Sequence, residues 1–231
     1  ATTLDLAERV RREARVVVHV VVAPFPVDLV QQVAAIGREA ATVLHREALD
    51  LAARLVRDHQ AVALGEVGWP HFEVGPELRE TALAVFRHAL GAARDVGCPV
   101  VVHSPDLDAG GYGELAELAR QEGLPRERVI KHYARTPVAA VDRHGIGASY
   151  VATRDLLSAA LAQSSPWFLE TDFLDDPRRP GAVLDLATVP RRARSIAERE
   201  PTALERLRIP FQEAVRSAYG FTPSPDEVPT A

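Results

Sequence analysis

Short Val-rich runs alternate with longer Ala/Leu/Arg segments along most of the chain, separated by polar, Gly or Pro turns. The strand-like runs are Val16–Ala23, Ala61–Glu66, Pro99–His103, Arg128–His132, Ile146–Val151 and Trp167–Thr171. Helical periodicity marks the segments near 27–37, 44–58, 76–96, 111–122, 136–143 and 154–163. Near-continuous apolar strands interleaved with amphipathic helices predict parallel strands covered on their faces. Pro76 and Pro137 stand where a helix tolerates proline, in its first turn. Only the tail 222–231, TPSPDEVPTA, lacks periodicity, so residues 1–221 read as a single domain followed by a loose end.

Such an alternation fits either a doubly wound open sheet or part of a TIM-type (β/α)8 barrel. Pro24-Phe25-Pro26 follows the first strand-like run where a dinucleotide-binding fold would carry a Gly-rich loop, which favours the barrel. A barrel needs about two further βα units. The chain opens on a helix-like segment, Leu4–Arg15, with no leading strand, and it contains no methionine, even at position 1. Both features predict a preceding N-terminal stretch carrying two strands, and methionine positions that this sequence does not represent.

Composition narrows the class without choosing a chemistry. With 231 residues, 47% hydrophobic and 26% charged, the chain is an ordinary globular protein able to bury a sizeable core. A net charge of −5 gives no global electrostatic footprint for nucleic acid, although a local basic patch stays open. The single Cys98, placed before a strand, reads as a buried thiol; it excludes an intrachain disulfide framework and points to a reducing, cytoplasmic setting. No apolar run approaches the ~20 residues of a membrane-spanning helix.

The candidate chemistry lies at the strand ends. AVALGE ends in Glu66, PVVVH in His103, RVIKH in His132, and FLETD carries Glu170 and Asp172. The spacings between Glu66, His103, His132 and Asp172, namely 37, 29 and 40 residues, each span one or two βα units. A (β/α)8 barrel gathers such C-terminal strand ends on one face. Taken singly, each residue has an ordinary structural explanation as a hydrogen-bonded histidine, a helix cap or a turn former. Together, imidazole and carboxylate at matching positions form the ligand set of a divalent metal site, with Zn, Mn, Ni or Mg as candidates.

These motifs resemble the TatD-like branch of the amidohydrolase superfamily. GEVGWP (65–70), PVVVHS (99–104), VIKHYA (129–134), FLETD (168–172) and FQEAVRSAYGF (211–221) are similar to its characteristic segments. GLPRERVIKHYA (123–134), ETDFLDDP (170–177) and RPGAVL…TVPRR (179–192) resemble an archaeal subgroup known only as metal-dependent hydrolases. The resemblance implies Glu66 as a ligand bridging two metals and His103 and His132 as ligands of one of them. It implies Asp172 as a ligand that also takes the proton of the attacking water. The family's first motif, Asp-x-His-x-His, has no match, in keeping with two missing strands. Pro105 and Pro70 replace the family's Arg after His-Ser and its Asp after Gly-Glu-Ile-Gly-Leu.

Around these ligands, Glu170 is expected on the same side of its strand as Asp172, as an outer partner of a ligand histidine. His71 is a candidate substrate contact, Trp69 and Tyr133 are candidates to stack on a base, and Lys131 is a weaker phosphate candidate because it should face away from His132. The resulting expectation is a metal-dependent hydrolase using one or two divalent cations, as a phosphodiesterase or 3′-exonuclease (DNase) acting on nucleic-acid ends. The alternatives are the same chemistry on a small amide, lactone or phosphoester, and a non-catalytic metal-binding protein.

Overall fold

The computed structural model describes residues 2–174, 176, 178, 184–200 and 202–223; most of the tail and parts of the 170–177 and 179–192 motifs lie outside them. After helix α1 (Thr3–Ala14) the strands are β1 (Val21–Val22), β2 (Ala63–Gly68), β3 (Val100–His103), β4 (Val129–Ala134), β5 (Gly147–Val151) and β6 (Trp167–Glu170). Helices α2 (Asp28–Ile36) and α3 (Arg38–Arg57) join β1 to β2, α4 (Pro76–Val96) follows β2, α5 (Ala109–Glu122) follows β3, and α6 (Arg154–Leu161) follows β5. Helices α7 (Thr188–Arg199), α8 (Ala203–Arg208) and α9 (Ala214–Tyr219) end the described chain, a single wide turn at Ile209–Glu213 linking the last two.

The six strands pair in chain order, all parallel. That order separates the two architectures left open by the sequence. A doubly wound sheet reverses its strand order at a switch point, whereas a (β/α)8 barrel advances one strand at a time. Among the described residues β1 and β6 are the sheet's edges.

One sheet face carries Leu64, Val100, Val102, Val129 and Ala148 into a continuous core with Leu49 of α3, Phe86 and Leu90 of α4, and Leu115 of α5. The helices are cut to fit that core. Helix α4 starts with Pro76 in its first turn, as the sequence predicts, and α5 is capped by Asp108, whose side chain accepts from Gly111 N–H at 2.9 Å. On the opposite face three strands approach closely. A Cβ on Gly65 would lie 2.7 Å from Val101 Cβ and 2.8 Å from Val21 Cγ1.

Two elements differ most from the sequence reading. The first strand shrinks from Val16–Ala23 to Val21–Val22, which pairs only with β2 among the described residues. Upstream, Val20 O accepts from Val62 N–H, and Val18 O is held by the Arg11 side chain instead of a strand. The helix expected at 136–143 is a short 3-10 turn at Ala140–Arg143, with the connection ended by left-handed His144 and Gly145. Cys98 is buried, as expected, and no described helix is long and apolar enough to cross a membrane.

Two outcomes follow. Burial raises the Cys98 thiol to about 11, so at pH 8 only about a thousandth is thiolate; a thiol reagent should label it only after denaturation. Gly68 has φ +135, and a Cβ there would sit 2.1 Å from His103 O. Gly68→Ala should therefore destabilise the protein by roughly 3 kcal/mol in a urea titration.

Candidate metal centre

Every side chain of the site comes from the C-terminal end of a strand. Glu66 belongs to β2, His103 ends β3, His132 lies in β4, and Glu170 ends β6, with Asp172 two residues beyond. Two of these positions are β-bulges. Gly65 pairs with Val101 and Val67 with Val102, leaving Glu66 as an extra residue in β2. Lys131 pairs with Ala148 but Ala134 with Tyr150, so β4 carries one extra residue across His132 and Tyr133. A bulge interrupts the ladder and re-aims a side chain. Tyr133 adopts a left-handed φ of 53, and its N–H donates to Glu170 Oε1 at 2.9 Å. That hydrogen bond offsets part of the ~1 kcal/mol cost of the conformation.

The bulges bring three donors together. Glu66 Oε2 lies 3.0 Å from His103 Nδ1, and Glu66 Oε1 lies 3.4 Å from His132 Nε2. Glu66, His103 and His132 each offer a ligand atom within 4.8 Å of the others. Asp172 Oδ1 stands just outside this triad, 3.6 Å from His132 Nε2. A cation held at about 2.1 Å by tetrahedral donors keeps those donors roughly 3.4 Å apart, so this spacing and donor set fit a divalent metal.

Electrostatics favour a cation as well. Burial pushes the His132 imidazole down, but the Glu170 hydrogen bond and the charges of Glu170, Glu66 and Asp172 outweigh it and raise its pKa. Burial pushes Glu66 up, yet the hydrogen bond from His103 and the charges of His132, His103 and Lys131 leave it lowered and ionised. Asp172 is raised above the usual carboxylate range, by burial first and then by Glu170 and Glu66 against the opposing pull of His132.

The remaining sequence candidates separate by position. Glu170 accepts from His132 Nδ1 at 3.2 Å, the outer-partner place expected for it. The strand ends at Glu170 rather than Thr171, and Asp172 has a left-handed φ of 49, so a turn and not the pleat aims it. Lys131 pairs with Val102 and Ala148 on the helix-facing side, fully buried, and its Nζ donates to Ser104 O and His132 O. Burial lowers it to about 8, and the phosphate role is withdrawn. Trp69 is buried in a T-shaped contact with Phe86 and does not line the cleft that holds the donors, which speaks against a stacking role there. Tyr133 stays exposed beside His132, and His71 Nδ1 meets His103 Nε2 at 2.9 Å.

The site opens into a cleft of about 760 Å³, whose walls include Phe25, Tyr133, Arg135 and Phe173. Phe25 stands edge-on to His103 with ring centroids 4.9 Å apart. It escaped sequence reasoning, although an aromatic directly after the first strand run was its signal. Arg135, whose N–H donates to Asp106 Oδ1, was missed as well. A larger cleft of about 960 Å³ between α4 and α5 contains none of the three donors.

The family model described as TatD related DNase matches residues 2–220. The chain belongs to the TatD family. A curated relative, the uncharacterized protein MJ1127 of Methanocaldococcus jannaschii, is 32% identical over 154 residues, 66% of this chain. The chain spans about half of that relative, 55% of its length. In structure the chain is similar to YJJV, a TatD homolog from Escherichia coli K12, with a TM-score of 0.60 and 18% identity over 94% of this chain and 92% of that one. That likeness gives the fold, a TIM-type α/β barrel architecture, and TatD membership joined to the donor cluster supports a metal-dependent hydrolase.

An outer carboxylate that orients a ligand imidazole contributes about 10–100-fold in metal affinity. Glu170→Ala should weaken Zn²⁺ or Mn²⁺ binding by that factor in calorimetry while circular dichroism stays native.

Proposed function

We propose that this TatD-family chain is a metal-dependent phosphodiesterase that trims nucleic-acid ends. The observation that carries the reading is the Glu66–His103–His132 donor cluster, with Asp172 beside it, at the floor of an open cleft. A divalent cation there supplies Lewis-acid polarisation of a phosphoryl oxygen and a lowered pKa for water. Glu66 is ionised and shared between the two imidazoles, so it holds the donor set in register. Asp172 lies on the cleft side, and its raised pKa makes it a better proton acceptor than an exposed aspartate. Tyr133 and Phe25 give the cleft aromatic faces for a terminal base, and Arg135 gives it a guanidinium for a phosphate.

A second reading, a small phosphoester or lactone as substrate, has one observation in its favour. Pro105 lines the cleft where the family pattern carries an arginine, which removes one phosphate contact.

Asp172→Asn should retain metal within a few-fold and lose at least about 100-fold in turnover. With Mg²⁺ or Mn²⁺, end-labelled single-stranded DNA should shorten from one end with wild type only. No cleavage above the Asp172→Asn control would sink the nuclease. Hydrolysis of small esters by the same preparation would then support the second reading. Absence of metal binding in wild type would leave neither.

A further inference from the structure

His103 is gripped twice by the loop that follows β2. Its backbone carbonyl accepts from Trp69 N–H at 3.1 Å, and its ring Nε2 faces His71 Nδ1 at 2.9 Å. Between the two contacts stands Pro70, whose ring fixes its own φ and disfavours helical backbone at Trp69. Trp69 is itself anchored in the core against Phe86. The loop is therefore a short stiff clip, Trp69-Pro70-His71, closed on one histidine.

The two ligand imidazoles are arranged alike. His132 turns Nε2 toward Glu66 Oε1 and Asp172, and its Nδ1 toward Glu170. His103 turns Nδ1 toward Glu66 Oε2 and its Nε2 toward His71. In each ring one nitrogen faces the donor cluster and the other meets a partner outside it. A neutral imidazole carries one N–H and one lone pair, so a partner that accepts from the outer nitrogen leaves the inner lone pair for a cation.

We propose that His71 is the positioning residue of His103 in the metal-bound site: its Nδ1 accepts the Nε2–H of His103, so that His103 Nδ1, which donates to Glu66 when no metal is bound, is committed to the metal. The clip thereby takes for His103 the part that Glu170 takes for His132. It also gives a role to Pro70, one of the two departures from the family pattern. The inference rests on the metal reading of the site.

The test compares wild type with His71→Ala and His71→Asn, because an asparagine Oδ1 can occupy the place of the imidazole Nδ1. Zinc affinity is read by calorimetry. In the zinc-loaded protein, imidazole ¹⁵N spectra read whether the Nε2 proton of His103 is retained. His71→Ala should bind zinc about 10–100-fold more weakly and lose the protected Nε2 proton, while His71→Asn stays within about 3-fold of wild type. Wild-type affinity and an unchanged proton in His71→Ala would overturn the inference and leave the metal site standing. An Asn variant as weak as Ala would overturn it too, and would mark His71 as a direct ligand. Failure of wild type to bind zinc, manganese or cobalt would remove the metal reading and this inference together.

Discussion

Glu66 has two carboxylate oxygens and two imidazoles to satisfy them, and the site is built around that one double contact. For it to form, a side chain from β2 must reach rings on β3 and β4 at the same height. Regular parallel pairing does not provide this, because alternate residues of a strand face opposite sides of the sheet. The bulge at Glu66 and the bulge across His132 and Tyr133 supply the missing half-steps. Gly65 and Gly68 flank the first of them. Gly65 lets β1 and β3 close in on β2, and Gly68 lets the chain pass against His103 O with a positive φ. The metal-competent triad is thus a consequence of backbone irregularity as much as of side-chain identity.

The strand ends that carry the chemistry were legible in the sequence because apolar runs stop abruptly at polar residues. Glu66, His103, His132 and Asp172 could each be placed at such a stop, and the parallel α/β order follows from the strand–helix rhythm. The bulges were not legible. A bulge adds one residue without changing composition, so β2 and β4 read as ending at Glu66 and His132 when they run on to Gly68 and Ala134. Val16–Ala23 shows the opposite error. Its β-branched pattern is strong, but a strand also needs a neighbour, and most of this run has none among the described residues.

Trp69 and Lys131 show why residues next to a ligand are harder to assign than the ligands. Both stand beside the chemistry in sequence, yet both point into the core. Lys131 follows the pleat: the position next to His132 faces the helices, where the carbonyls of Ser104 and His132 accept hydrogen bonds from its Nζ. Trp69 lies past the strand, so no periodicity governed it, and the Phe86 side of α4 captured its ring. His71, further along the same loop and past Pro70, returns to the site, where its Nδ1 meets His103 Nε2.

The direction of Lys131 also decides the charge balance. Glu66, Glu170 and Asp172 surround His132, and no lysine or arginine makes an ion pair with any of them among the described residues. Had Lys131 faced the cleft, its ammonium would have neutralised this cluster and competed with any divalent ion for the same oxygens. Turned away, it acts on Glu66 and Glu170 only at a distance, and the side chains in ion-pair contact with the carboxylates are imidazoles, which are neutral unless protonated. Burial raises Asp172 first and the charges of Glu170 and Glu66 add to it, while the Glu170 hydrogen bond and the same carboxylate charges raise His132 against burial. A site in this state takes up either protons or a cation. At neutral pH, where protons are scarce, a divalent metal is the species that relieves the repulsion while leaving both imidazoles free to serve as ligands.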